Sequence, residues 1–76
     1  MNYIEINFTN SPELNDVILA FLSDTDFEMF EEKENGLSAY IPEDKFDEID
    51  LNALIIQIPG SENIRFDVSL IKGRNW

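Results

Sequence analysis

The first apolar pattern in the chain has a period of two. Between Tyr3 and Thr9, the side chains of Ile4, Ile6 and Phe8 alternate with Tyr3, Glu5, Asn7 and Thr9. That is the mark of a strand with one face on a core and the other in water. The period then changes. Leu14, Val17, Ile18, Phe21 and Leu22 are spaced by three and four, which predicts an amphipathic helix. Ser11-Pro12 fits its start: Ser11 can cap, and Pro12 suits a first helical position that needs no N–H donor. Glu13 and Asp16 favour the positive end of the helix dipole. The stretch from Ser23 to Asp26 breaks the pattern, and Phe27 to Lys33 reads as a second strand.

Asn35-Gly36 predicts a two-residue hairpin turn of type I′, whose central residues both need positive φ. Leu37 to Ile41 is then the returning strand, stopped by Pro42. Such a turn pairs Phe30 with Ile41 and Glu31 with Tyr40. A second helix is expected from Asp47, which can cap, with Phe46 stapled onto Leu51. Leu51, Leu54, Ile55 and Ile58 form its stripe, and Pro59-Gly60 ends it. Ile64, Phe66, Val68 and Leu70 alternate with Arg65, Asp67, Ser69 and Ile71 as a last strand.

The order β-α-β-β-α-β, with right-handed crossovers, predicts an α+β fold of the ferredoxin-like kind. It has one four-stranded antiparallel sheet with both helices on one face, and residues 1–76 form a single domain. No linker or repeat interrupts it. One local conflict stands out. Period-two geometry cannot turn Phe27, Met29 and Phe30 all inward without a bulge.

Composition narrows the function. The chain has 76 residues, sixteen acids against five bases, and a net charge of −11. It has no Cys and no His. Disulfides, thiol nucleophiles and His-based acid–base chemistry are therefore out of reach. So is a Gly-rich phosphate loop, since the only glycines are Gly36, Gly60 and Gly73. Asp24, Asp26 and Glu28 have the spacing of a calcium loop, but its sixth position is Met29 and no Glu stands at the twelfth. The acidity disfavours direct nucleic-acid binding, which needs Lys and Arg at phosphates. No apolar run is long enough to span a membrane, and no signal segment opens the sequence. A cytoplasmic protein is expected, whose charge suits a basic partner.

Two surfaces are candidates for that partner. The segment from Asp24 to Asp50 holds eleven acids and two lysines, and Glu31, Glu32, Glu34, Glu43 and Asp44 are the centre of an acidic docking surface. The solvent-facing side of the sheet would carry Tyr3, Tyr40 and Met29 as an apolar contact patch. No catalytic, cofactor or metal residue emerges. The oligomeric state is open, and a self-associating acidic module built on the same sheet is the alternative reading.

Several segments also carry a resemblance. Met1-Asn2-Tyr3-Ile4-Glu5-Ile6, Ser11-Pro12-Glu13-Leu14, Phe27-Glu28-Met29-Phe30-Glu31-Glu32, Gly36-Leu37-Ser38-Ala39-Tyr40-Ile41-Pro42 and the closing Asn75-Trp76 occur in that order. Together they resemble the N-terminal domain of PrmA-type lysine methyltransferases in Bacteroidetes-like bacteria. Those enzymes act on the stalk-base protein of the large ribosomal subunit, ribosomal protein L eleven. The resemblance implies a ferredoxin-like domain that recognises a basic ribosomal protein. It also implies that S-adenosylmethionine is bound by a separate catalytic domain downstream. Asp26 where the family often has Gly, the apolar Ile55-Ile56-Gln57-Ile58 and Arg74 for a usual Gln depart from the pattern.

Overall fold

The structure is a computed structural model and describes residues 2–72. Met1, Arg74 and the Asn75-Trp76 pair lie outside the described residues. Six main elements follow in the predicted order: β1 (Tyr3–Thr9), α1 (Glu13–Leu22), β2 (Met29–Lys33), β3 (Gly36–Pro42), α2 (Glu48–Ile55) and β4 (Arg65–Ile71). Short 3₁₀ turns at Glu43–Lys45 and Ser61–Asn63 lead into α2 and β4. The strands form one sheet in the order β2-β3-β1-β4, and every neighbouring pair is antiparallel. This is the ferredoxin-like arrangement, with the first strand made lying inside the sheet.

The alternation in β1 sets the two faces. Ile4, Ile6 and Phe8 are buried and lie opposite Ile41, Ala39 and Leu37 of β3. On the other side of β1 they lie opposite Leu70, Val68 and Phe66 of β4. Ile18 and Leu22 of α1, with Leu51 and Ile55 of α2, belong to the same buried cluster. Both helices therefore cover one face of the sheet.

Four details differ from the sequence expectation. Ser11 makes no side-chain cap on α1. The helix opens on Pro12, and the Ser11 carbonyl accepts from the Leu14 N–H. The hairpin register is shifted by two: Lys33 lies opposite Gly36, Phe30 opposite Ala39 and Glu31 opposite Ser38. Glu34 and Asn35 are the loop, and among the described residues only glycines have positive φ, so the turn is not type I′. A shift of two preserves side-chain parity, and Phe30 still faces the helices.

The third difference lies where β2 begins. The ladder starts at Met29 instead of Phe27, and both the Glu28 N–H and Met29 address Tyr40. This irregularity removes one residue from the alternation. Phe27 and Phe30 both pack against the core, 6.3 Å apart, while Met29 is 62 % exposed. The fourth concerns α2, which ends at Ile55. Ile58 reaches the core from a following turn, held by its N–H to the Ile55 carbonyl, and Gly60 then adopts left-handed backbone. Asp47 does cap α2, accepting from the N–H groups of Ile49 and Asp50. With α2 this short, β4 is incompletely covered: Val68 and Leu70 face the helix side yet stay 40 % and 46 % exposed.

Candidate functional site

The open face of the sheet is built from the other half of each alternation. From β1 come Tyr3, Glu5 and Asn7; from β3, Ser38 and Tyr40; from β2, Met29, Glu31 and Lys33. Five of these side chains, Glu5, Asn7, Lys33, Ser38 and Tyr40, are linked by hydrogen bonds. The Tyr40 hydroxyl donates to Glu5 Oε2 at 2.7 Å, and Asn7 Nδ2 donates to Glu5 Oε1 at 3.0 Å. The Ser38 hydroxyl donates to Asn7 Oδ1 at 2.6 Å, and Lys33 Nζ reaches the same oxygen at 3.4 Å. The Tyr3 hydroxyl donates to Glu28 Oε1 at 2.8 Å.

Charge-assisted bonds of this kind hold the Glu5 carboxylate ionised and the two phenols protonated. Accepting from Tyr40 and Asn7 lowers the Glu5 carboxyl below its ordinary value. The same bond pushes Tyr40 up to about 12. The hydrogen bond to Glu28 raises Tyr3. Both phenols already donate, so the face offers ring surface and fixed carboxylate oxygens.

The structure gathers four of the predicted site residues on this face. Met29 lies across from Tyr40, Glu31 across from Ser38, and Tyr3 beside them on β1. Glu32 is not among them: it lies opposite Leu37, on the helix side, at the exposed edge of β2. Among the described residues, no set of three or more acids gathers to hold a metal ion.

A second feature escaped the sequence reading. A groove of about 350 Å³ opens between the α1–β2 connection and α2. Its walls bring together Asp26 and Phe27, Ile41 near the end of β3, Lys45 and Phe46, the α2 cap Asp47, and Asp50, Leu51 and Leu54 along α2. The residues come from four separate stretches, so no single periodicity announces them. Also unforeseen is a polar knot under the hairpin. Asn10 and Asn15 are buried; Asn10 Nδ2 donates to Asn15 Oδ1 at 2.8 Å and to the Ser11 carbonyl at 2.7 Å. The Asn10 N–H bonds the Asn35 carbonyl at 2.9 Å, tying the helix entry to the turn. Asn15 occupies a position on the helical stripe that apolar counting passes over.

Comparison with known proteins places this architecture. A ribosomal protein L11 methyltransferase of Phocaeicola vulgatus is 34 % identical over the whole of this chain, which spans 28 % of that relative. The enzyme of the same description from Bacteroides thetaiotaomicron is 40 % identical over 78 % of this chain. The one from Chlorobaculum tepidum is 33 % identical over 99 % of the chain and 27 % of the relative. In each case the match lies in the N-terminal part of the relative, so the chain spans less than a third of the proteins it resembles. No protein-family model and no solved structure matches it.

Proposed function

The chain is homologous to the N-terminal part of the ribosomal protein L11 methyltransferases, and from that premise we propose that it is the substrate-recognition domain of such an enzyme. It binds the stalk-base ribosomal protein and presents it to a catalytic domain in the region that the relatives have beyond this span. The observation that carries the reading is the match along the full length of this chain to one end of the relatives. The acidity supports it, because a protein that sits against ribosomal RNA carries Lys and Arg for phosphate contacts. The cytoplasm, where ribosomes work, is its place.

Among the described residues, none forms a glycine-rich cradle for S-adenosylmethionine. A nucleotide cradle needs glycines whose missing Cβ leaves room for the ligand. Here a Cβ on Gly36 would strike the Phe8 carbonyl, and Gly60 is in ordinary contact with the Leu14 side chain. On this reading the cofactor is held by the region that the relatives have beyond this span.

Isothermal titration of the 76-residue chain with ribosomal protein L11 tests the reading. Binding is expected without the catalytic region, and none to S-adenosylmethionine. No heat under conditions where a full-length relative binds L11 would overturn it. A second reading, self-association, is favoured by one observation: the half-exposed Val68 and Leu70 on the edge strand β4. A sedimentation coefficient that rises with concentration would support that alternative.

A further inference from the structure

We infer that the groove between the α1–β2 connection and α2 receives a lysine or arginine side chain of the protein partner, its aliphatic stem on the apolar floor and its charged head among the aspartates of the rim. The inference deepens the function proposed above and rests on it for the partner's identity.

The floor is made by Phe27, Ile41, Phe46, Leu51 and Leu54, of which Ile41 and Leu51 are buried and the others half-buried. Its size, about 350 Å³, suits one or two side chains. The rim carries Asp26, Asp47 and Asp50 against Lys45. Three acids and one base leave it at −2. Asp47 is committed, since its Oδ1 caps α2 at 2.9 Å from the Ile49 N–H. Asp26 and Asp50 are exposed, and their carboxylates have no partner among the described residues.

An apolar trough with carboxylates at its lip is amphipathic in the same sense as a long basic side chain. Lys and Arg bury a methylene stem on apolar surface and keep the cation at a polar edge. The phenylalanine rings add a cation–π attraction if the head leans back over them. An acidic side chain would meet repulsion at the lip, and a purely aliphatic one would leave the carboxylates unpaired. Net charge acts in the same direction at longer range, drawing a basic protein towards the acid-rich segment. The other surfaces carry less. On the open sheet face Tyr3, Glu5, Asn7, Ser38 and Tyr40 are already engaged with each other or with Glu28. The exposed part of β4 has nothing beside it that identifies an occupant.

The test compares wild type with the double charge reversal Asp26→Lys/Asp50→Lys and with Glu62→Gln, an exposed position outside both candidate surfaces. The reversed positions are exposed, so folding, checked by circular dichroism, is expected to survive. The first probe is ribosomal protein L11. The double reversal is expected to weaken binding about tenfold or more, and Glu62→Gln to leave it unchanged. Equal binding by wild type and the double reversal would overturn the groove while leaving the recognition role standing. The second probe is a short capped peptide of alternating leucine and lysine, followed by amide shifts in the NMR spectrum. Shifts centred on Phe27, Leu51 and Leu54 that vanish when the lysines are acetylated support the groove even if L11 fails to bind, an outcome that would remove only the recognition role. No shifts at those residues, or the same shifts with the acetylated peptide, would overturn the inference.

Discussion

At the scale of single residues, Gly36 and the Tyr40–Glu5 pair do work that no neighbour could take over. A Cβ built on Gly36 would lie 1.9 Å from the Phe8 carbonyl oxygen, a backbone atom that β1 cannot move without losing its pairing to β3. Gly36→Ala is therefore expected to cost about 3–5 kcal/mol, read as a lower denaturation midpoint. A loss under about 1 kcal/mol would mean that the hairpin can open there cheaply. The Tyr40–Glu5 bond makes a pH-dependent forecast. Glu5 titrates below its ordinary value in the folded chain, so its contribution is present above the unfolded pKa and lost as pH falls through the folded one. Tyr40 is raised to about 12, so its contribution is full below 10 and lost as pH rises through 12. Tyr40→Phe should return the Glu5 carboxyl upwards towards its usual range, measured by carboxyl ¹³C titration. The stability gap between variant and wild type should shrink in acid. A Glu5 titration unchanged by the variant would show that Asn7 alone sets it. The sequence named Tyr40 but could not reveal its partner, because Glu5 lies 35 positions away and is fixed by register.

At the scale of elements, period was a reliable guide and edges were not. The alternation in β1 and β4 and the spacing in α1 gave the right structure and the right inward faces, because burial on one side dictates them directly. The hairpin went astray at its turn. Asn35-Gly36 has the chemistry of a type I′ turn, but Gly36 is claimed by its contact with Phe8, and the loop moves to Glu34-Asn35. The entry to β2 departs for a related reason: Phe27 and Phe30 both gain by facing the core, and the strand yields at Glu28. The Asp47 cap of α2 was legible. Asp47→Ala is expected to cost about 1 kcal/mol, against no measurable loss for Ser11→Ala, which removes no side-chain cap. Thermal denaturation of both variants separates them, and an equal loss in the two would contradict the assignment of the caps. Only the three-dimensional arrangement shows that α2 is too short to cover Val68 and Leu70, since coverage depends on how long one element is relative to another.

At the scale of the whole molecule, charge and topology have separate consequences. Sixteen acids face five bases in 76 residues, so self-repulsion opposes compaction and salt relieves it. The unfolding midpoint is expected to rise with moderate sodium chloride, and a steady fall would show that attractive pairs dominate. The fold class followed from element order alone, whereas the groove did not, because its walls meet only once both crossovers are closed. The position of β1 has a further consequence, in time. β1 is the first strand made and an inner strand of the finished sheet, flanked by β3 and β4. Its pairing with β4 joins Thr9 to Arg65 and Tyr3 to Ile71. At a synthesis rate of about 5–20 residues per second, the roughly sixty residues between them take ~3–12 s to appear. For that interval α1 can form from its own sequence, but β1 stands with at least one hydrogen-bonding edge bare and Ile4, Ile6 and Phe8 without their full cover. The nascent chain is thus most exposed to protease and to its neighbours just before its last strand arrives.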